Sequence, residues 1–174
     1  MNNLILVGFM GTGKSAVGKL LAKKLRRPFV DLDERIEKEA GRSIPEIFAS
    51  EGEDGFRERE MKAVLEISRL SGCVIATGGG VMLKEQNVEA LKKSGLLVCL
   101  RARPDVILQR TLSEVSSRPL LAGENPKKRI EELLKVREPF YARADVSVET
   151  SDRPLEAVAA EIAARFEKKG KKEG

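Results

Sequence analysis

The segment GFMGTGKS at residues 8–15 carries the clearest chemical signal in the chain. It matches the pattern G-x-x-x-x-G-K-[ST] and lies between a short apolar run and a helix-forming stretch. Glycines let such a backbone curl until successive N–H groups face phosphate oxygens, and the positive end of the next helix adds to that field. Lys14 would then reach the β- and γ-phosphates of a nucleoside triphosphate, and Ser15 would ligate Mg²⁺.

Two acids, Asp31 and Asp33, stand at the end of the second apolar run. Ligands of parallel sheets gather at the carboxyl ends of the strands, and alternation along a strand predicts that both carboxylates point the same way. One could hold the hydration shell of a metal ion, while the other could orient an acceptor hydroxyl and take its proton. The competing interpretation is that Asp33 caps a helix that begins at Glu34.

Glycines and arginines supply the remaining candidates. The triplet at residues 78–80 follows the third apolar run, where it either brings backbone N–H groups close to a ligand or forms a flexible turn. Arg57 and Arg59 flank the core face of one helix, and their spacing does not decide which of them reaches a pocket. Arg118 lies in the polar stretch 113–125, whose length and composition are typical of a mobile lid, and a lid arginine could contact the transferring phosphoryl group.

Three further arginines have two interpretations each. Arg137 precedes Pro139, which predicts the end of a helix there. An arginine at such an end can fork onto a carboxylate or simply complement the helix dipole. Arg110 and Arg153 are candidates to stack on adenine, although an ordinary surface role is the simpler interpretation from sequence alone.

The elements that must position these side chains follow from apolar runs and helical periodicity. Buried strands that alternate with helices indicate a parallel α/β sheet with helices on both faces. Strands are predicted at residues 3–9, 28–32, 73–77, 96–100 and 146–148. Helices are predicted at residues 14–25, 33–70 with glycine and proline interruptions, 84–93, 104–110, 126–137 and 154–168.

Composition excludes several classes of protein. The chain has 174 residues, one domain's length, with 32 Lys and Arg against 27 Asp and Glu. The absence of His excludes Ser-His-Asp triads and His-ligated zinc, and the absence of D-x-x-G and N-K-x-D disfavours a guanine-nucleotide switch. Cys73 and Cys99 lie in apolar runs and are expected to be buried and reduced. The N-terminal apolar run is too short for a membrane helix and lacks signal-peptide features, so we expect a cytoplasmic protein.

The motifs together resemble one family. The pieces LVGFMGTGKSAVGKLLA, FVDLD, SIPEIFASEGEDGFRERE, TGGG, RPLL and REPFY occur in this order, and the chain resembles bacterial-type shikimate kinase from residue 3 to about residue 166. The resemblance implies a P-loop kinase fold: a five-stranded parallel sheet of order 2-3-1-4-5 flanked by helices, with a mobile lid. It implies a single domain at residues 1–168, with an acceptor-binding region at about 33–60, a lid at about 112–125 and a basic tail at 169–174.

The resemblance also implies an activity: transfer of the γ-phosphoryl of Mg-ATP to a hydroxyl of shikimate, giving 3-phosphoshikimate and ADP in aromatic amino-acid biosynthesis. The enzyme would be a monomer with one Mg²⁺ per subunit, and it would bind neither nucleic acid nor membrane. The implied catalytic residues are Asp33, Lys14 and Arg118. ATP would be bound by Gly11, Thr12, Gly13, Lys14, Ser15, Ala16, Arg110, Arg118 and Arg153. Shikimate would be bound by Asp33, Arg57, Gly79, Gly80 and Arg137, and the metal by Ser15 and Asp31.

Other functions share parts of this pattern. A nucleoside monophosphate kinase or another sugar-acid kinase, such as a gluconate kinase, would have the same loop, lid and sheet, although two arginines beside Asp33 suit a compact carboxylated polyol better. An inactive nucleotide-binding module is disfavoured by the joint presence of Lys14, Ser15 and Asp33. A basic RNA-binding protein is disfavoured by the nearly balanced charge and by an aromatic content of only 4%.

Overall fold

The computed structural model describes residues 2–112 and 125–170, which form a five-stranded parallel sheet with helices on both faces. The strands are β1 (Asn3–Val7), β2 (Phe29–Asp31), β3 (Val74–Ala76), β4 (Gly95–Arg101) and β5 (Val146–Glu149). The helices are α1 (Lys14–Leu25), α2 (Leu32–Ala40), α3 (Ile44–Ile67), α4 (Glu85–Ser94), α5 (Pro104–Thr111), α6 (Pro126–Tyr141) and α7 (Leu155–Gly170), with a 3-10 turn at Val81–Leu83.

The strand order is β2-β3-β1-β4-β5, which confirms the order that the resemblance implied. The central strand β1 pairs in parallel with β3 and β4, so that Leu4 lies opposite both Val74 and Leu96. Every residue of β1 is buried, as expected for a strand that is covered on both faces and therefore apolar throughout. The sheet is thus a fixed frame, and the phosphate loop, the acids after β2 and the glycine triplet all follow the carboxyl ends of its strands.

Two apolar clusters cover the two faces of the sheet. Alternate residues of β1 serve both: Ile5 and Val7 join the cluster beneath α2 to α6, whereas Leu4 and Leu6 join the cluster beneath α1 and α7. These four side chains are completely buried, and burial of each contributes about 1.5–3 kcal/mol to folding. This double packing holds the strand ends, and hence the site at the carboxyl edge, in fixed positions.

Three strands are shorter than predicted, and β3 lacks one residue at each end of its predicted range. β1 ends at Val7 because Gly8 adopts a φ of 131°, which takes the chain out of the extended conformation two residues before the predicted end. β2 ends at Asp31 because that residue caps α2, which begins at Leu32. Asp33 therefore belongs to the first turn of α2, which agrees with the helix predicted from residue 33. It neither ends the strand nor caps a helix that begins at Glu34.

The prediction that Pro139 ends a helix is also wrong, because α6 continues through it to Tyr141. Proline lacks an N–H, so the carbonyl four residues earlier, on Lys135, loses its helical partner. Both Lys135 and Pro139 are exposed, which allows water to bond that carbonyl at little cost. Arg137 therefore lies one turn inside the helix rather than at its end.

The remaining expectations about the chain have mixed outcomes. Cys73 and Cys99 are buried and free of disulfide bonds, as predicted. α7 extends to Gly170, two residues into the predicted tail. Of the predicted lid, residues 113–124 lie outside the described part of the chain. Among the described helices, none combines the length and apolar character needed to cross a membrane.

Candidate active site

The loop between β1 and α1 curls in the manner predicted for a phosphate-binding loop. A side chain is impossible at Gly8, where a Cβ would lie 2.3 Å from the carbonyl oxygen of Leu100 on β4. Gly13, at the start of α1, has a φ of 93°, which favours glycine. The Nζ of Lys14 donates hydrogen bonds of 2.9 Å to the carbonyls of Gly8 and Phe9, so its ammonium group lies over the loop.

Ser15 and Asp31 meet beside this loop. The Ser15 hydroxyl donates a 2.6 Å hydrogen bond to Oδ2 of Asp31. The other carboxylate oxygen, Oδ1, accepts from the backbone N–H of Asp33 at 3.0 Å and of Glu34 at 3.4 Å, which caps α2. One residue therefore fixes the start of α2 and presents a carboxylate oxygen next to the hydroxyl that the loop provides.

The carboxylate of Asp33 lies at the same edge in a largely enclosed position. Its Oδ1 is buried and has no hydrogen-bond partner among the described residues. Burial raises the pKa of Asp33 to about 6; the charge of Lys14 opposes this shift, while Asp31, Glu60 and Glu37 reinforce it. At neutral pH this carboxylate is ionised, yet it is a stronger base than an exposed aspartate.

The structure distinguishes Arg57 from Arg59, whose roles the spacing in the sequence did not decide. Arg57 is buried, with an exposed fraction of 8%, and its guanidinium donates to Glu60 at 2.9 Å and to Glu53 at 3.1 Å. Arg59 instead forms a two-bond ion pair with Glu51 and does not line the cleft described below. Burial raises the pKa of Glu60 above its ordinary value, and the neighbouring Arg57 guanidinium opposes that shift.

The glycine triplet and α6 meet beside the phosphate loop, where a Cβ at Gly79 would lie 3.3 Å from the backbone nitrogen of Met10. Arg137 is 3% exposed, donates to the carbonyl of Gly79 at 3.3 Å, and places its guanidinium 5.5 Å from the ring centroid of Phe9. Within residues 2–112 and 125–170, no carboxylate forms an ion pair with this buried cation. Because a buried arginine needs an anionic or polar partner, Arg137 is suited to bind an anion that enters the cleft.

These groups line one cleft of about 930 Å³ at the carboxyl edge of the sheet, large enough for a nucleotide and a small second substrate. It brings together most of the residues singled out from sequence. The predicted site residues that line it are Gly11, Gly13, Lys14, Ser15, Ala16, Asp33, Arg57, Gly79, Gly80, Arg110 and Arg137.

The arginines expected near adenine differ in their placement. Arg110 lines the cleft and donates to the carbonyl of Gly11 at 3.3 Å and to the carbonyl of Thr150 at 2.9 Å. Arg153 pairs instead with Glu161 on α7 at 2.8 Å and donates to the carbonyl of Glu149. Arg118 lies outside the described residues.

Sequence reasoning missed Glu60 and Tyr141. Glu60 is completely buried and lies three residues after Arg57, a spacing at which helical side chains meet. Tyr141 lies four residues after Arg137 on α6, and its hydroxyl donates a 2.6 Å hydrogen bond to the carbonyl of Gly79. In both cases the spacing to the neighbouring arginine was the signal that could have identified them.

Comparison with known proteins agrees with this geometry. The family model for shikimate kinase matches residues 10–167. A shikimate kinase of Caldanaerobacter subterraneus is 52% identical over 162 residues, covering 93% of this chain and 94% of the relative. That of Thermodesulfovibrio yellowstonii is 49% identical and covers 97% and 96%. The structure of a shikimate kinase from Acinetobacter baumannii in complex with shikimate has a TM-score of 0.93 at 40% identity, covering 97% of this chain and 94% of its own.

Proposed function

Since the chain belongs to the shikimate kinase family and is an ATP-dependent kinase that phosphorylates shikimate, we propose that this reaction takes place in the cleft at the carboxyl edge of the sheet. The observation that carries the proposal is that two sets of groups line one cleft. One set is the phosphate loop with Lys14, and the other is the pair of buried arginines Arg57 and Arg137, with the Asp33 carboxylate among the lining groups.

ATP would bind with its phosphates on the loop from Gly11 to Ala16. The N–H groups at the start of α1 and the ammonium of Lys14 neutralise phosphate charge, so Lys14 must exchange its carbonyl partners for phosphate oxygens. Arg110, which lines the same cleft, would contact the adenine. Arg118 would contact the transferring phosphoryl group and stabilise the charge that spreads over its oxygens.

The residues present fit a magnesium site. Ser15 and Asp31 offer a hydroxyl and a carboxylate oxygen 2.6 Å apart, and Mg²⁺ is usually held by one or two such groups together with water and substrate phosphates. When bound, Mg²⁺ would supply positive charge to the β- and γ-phosphates of ATP.

Shikimate would lie against Arg57, Arg137 and the glycine triplet. Its carboxylate would pair with Arg57 and Arg137, because both guanidinium groups are buried and Arg137 has no carboxylate partner among the described residues. Gly79 and Gly80 have no side chains, so the ring of the substrate can approach their backbone closely. Asp33 would then accept the proton of the reacting hydroxyl, as the hydroxyl oxygen attacks the γ-phosphorus in line and the bond between that phosphorus and the leaving oxygen of ADP breaks.

The proposal also includes the oligomeric state and the cellular location of the protein. One kinase domain at residues 1–168 would act as a monomer in the cytoplasm. The large apolar side chains that are exposed among the described residues, Leu65, Leu112, Val136 and Leu155, belong to different helices or helix ends and thus to no single helix face. The two buried free cysteines suit a reducing compartment. Light scattering at several protein concentrations would test the monomer directly.

Release of ADP from Mg-ATP, measured with and without shikimate, tests the chemistry. Gluconate and a set of nucleoside monophosphates serve as competing acceptors, and Lys14→Met serves as the inactive control. We expect strong stimulation by shikimate alone. A chain that turns over a nucleotide or gluconate faster than shikimate would overturn the acceptor assignment, and shikimate-stimulated turnover that survives in Lys14→Met would overturn the role of the loop.

A further inference from the structure

The carbonyl of Gly79 in the cleft wall receives two hydrogen bonds from α6. Tyr141 donates its hydroxyl at 2.6 Å, and Arg137 donates Nη1 at 3.3 Å. The two side chains are four residues apart, on one face of the helix, and their exposed fractions are only 4% and 3%. A tyrosine with no place in the proposed chemistry thus shares an acceptor with an arginine of the substrate site.

The two bonds are unequal in strength. The tyrosine bond is short for an O–H···O contact, whereas the arginine bond lies beyond the usual range for N–H···O contacts. A carbonyl that is partly buried needs at least one hydrogen-bond donor, and the hydroxyl of Tyr141 is sufficient by itself. Arg137 can therefore give its N–H groups to an entering anion without leaving the Gly79 carbonyl unpaired.

The same bond restrains the most flexible backbone of the site. Three successive glycines lose more conformational entropy on ordering than any other tripeptide, so an anchor lowers the cost of substrate binding. The peptide group is planar and trans, so holding the carbonyl of Gly79 also sets the direction of the Gly80 N–H. That N–H has no acceptor among the described residues, and the space beside Gly80 that a Cβ would fill is taken by the guanidinium of Arg57.

We propose that Tyr141 is a positioning residue for shikimate: its hydroxyl holds the Gly79 carbonyl, which releases Arg137 to the substrate carboxylate and fixes the glycine backbone against the substrate. This inference rests on the proposed placement of shikimate between Arg57, Arg137 and the glycine triplet. Tyr141 itself does not line the cleft. It acts through Gly79 and Arg137, and the nucleotide half of the site does not depend on it.

Tyr141→Phe isolates the hydroxyl, because the ring that packs in the apolar cluster is retained. Steady-state kinetics should show the KM for shikimate raised about five- to tenfold, with kcat and the KM for ATP within about twofold of wild type. Ile162→Val is the matched control. It removes one methylene from the cluster on the other face of the sheet and should lower the melting temperature without changing either KM.

Two results would overturn the inference: a shikimate KM within twofold of wild type, or equal rises in the KM values for shikimate and ATP, which would indicate general loosening. Arg137→Lys distinguishes an error in the role of Tyr141 from an error in the proposed site. Lysine keeps the positive charge but cannot form the two parallel hydrogen bonds of a guanidinium. A raised shikimate KM in Arg137→Lys but not in Tyr141→Phe would refute only the role of Tyr141. An unchanged KM in Arg137→Lys would refute the placement of the shikimate carboxylate itself.

Discussion

Gly80 packs directly against the guanidinium of Arg57: a Cβ at Gly80 would lie 2.3 Å from Nη1 and 2.5 Å from Nη2. The φ of Gly80 is −103°, which any residue adopts, so alanine would strain nothing in the backbone. Glycine is therefore needed at this position because a side chain would occupy the space of the Arg57 guanidinium. The conformational freedom of glycine is not required.

Gly80→Ala should consequently weaken shikimate binding while the protein remains folded. The added methyl displaces the Arg57 guanidinium from Glu60, and we expect the KM for shikimate to rise about tenfold or more, at a loss of about 1–2 kcal/mol. Kinetics with each substrate varied would measure this, with Gly170→Ala as control because no atom lies within 4 Å of a Cβ there. An unchanged KM would show that Arg57 does not need its present position.

Asp33→Asn should abolish most turnover while leaving ATP binding intact. Removing the proton acceptor is expected to lower kcat by about 10²–10⁴, with the KM for ATP within about threefold. Steady-state kinetics with ATP varied would check both values, with the exposed residue Asp54, changed to Asn, as control. A matching loss of ATP affinity would place Asp33 on the nucleotide and contradict its assignment to the acceptor.

The same variant should be more stable than wild type at neutral pH. Burial raises the pKa of Asp33 from 3.8 to about 6, so the folded protein holds this proton more tightly than the unfolded chain does. Ionisation therefore costs folding free energy as the pH rises from about 4 to about 6, and Asn avoids that cost. We expect about 3 kcal/mol of added stability at pH 7.5, shrinking towards zero near pH 4, in denaturant titrations with EDTA present. A difference that does not change with pH would contradict this account.

The features that could be predicted from sequence are those that local rules control. α1 begins and ends at the predicted residues, because the glycines before it and the spacing of its apolar residues mark both ends. The phosphate loop could also be predicted from sequence, since its glycines, lysine and serine follow a fixed spacing. The apolar runs of the central strands likewise predicted a parallel sheet, whereas its order came from the resemblance.

The side chains of the acceptor wall depend on packing that no local rule reveals. Arg57 and Arg59 are two residues apart, and only the tertiary structure buries the first and pairs the second with Glu51 across a kink at Gly52. The two acids at the end of β2 were expected at one edge through strand alternation. They do lie there, but through a different geometry, in which Asp31 caps α2 and Asp33 lies in its first turn.

Asp31→Asn should separate the metal role of Asp31 from its structural role. Asparagine caps helices as well as aspartate does, so the melting temperature should change little, whereas the carboxylate beside Ser15 is lost. We expect the Mg²⁺ concentration for half-maximal activity to rise about tenfold or more. Titration of activity with Mg²⁺ at fixed ATP would measure it, and Asp31→Ala should show the same rise together with lower stability. An unchanged Mg²⁺ requirement in Asp31→Asn would remove Asp31 from the metal site.

Arg118→Ala should lower kcat far more than the affinity for ATP. An arginine that contacts the transferring phosphoryl group acts mainly in the transition state, so we expect a loss of about 10²–10³ in kcat with the KM for ATP within about threefold. Arg129→Ala is the control, since Arg129 is an exposed arginine 3.9 Å from Glu132 on α6. A rise in the KM for ATP without a loss of kcat would assign Arg118 to ground-state binding instead.

The two arginines expected at the adenine should differ in their effect on ATP binding. Arg110 lines the cleft and donates hydrogen bonds to the carbonyls of Gly11 and Thr150. Arg110→Ala therefore removes a planar group that could stack on adenine and a hydrogen bond that supports the phosphate loop. We expect its KM for ATP to rise about tenfold, against less than about threefold for Arg153→Ala, whose guanidinium is already held by Glu161. Kinetics with ATP varied at saturating shikimate would measure both values in parallel. If Arg153→Ala gave the larger rise in the KM for ATP, Arg153 would have to leave Glu161 in order to bind the nucleotide. The assignment of adenine to Arg110 would then be wrong.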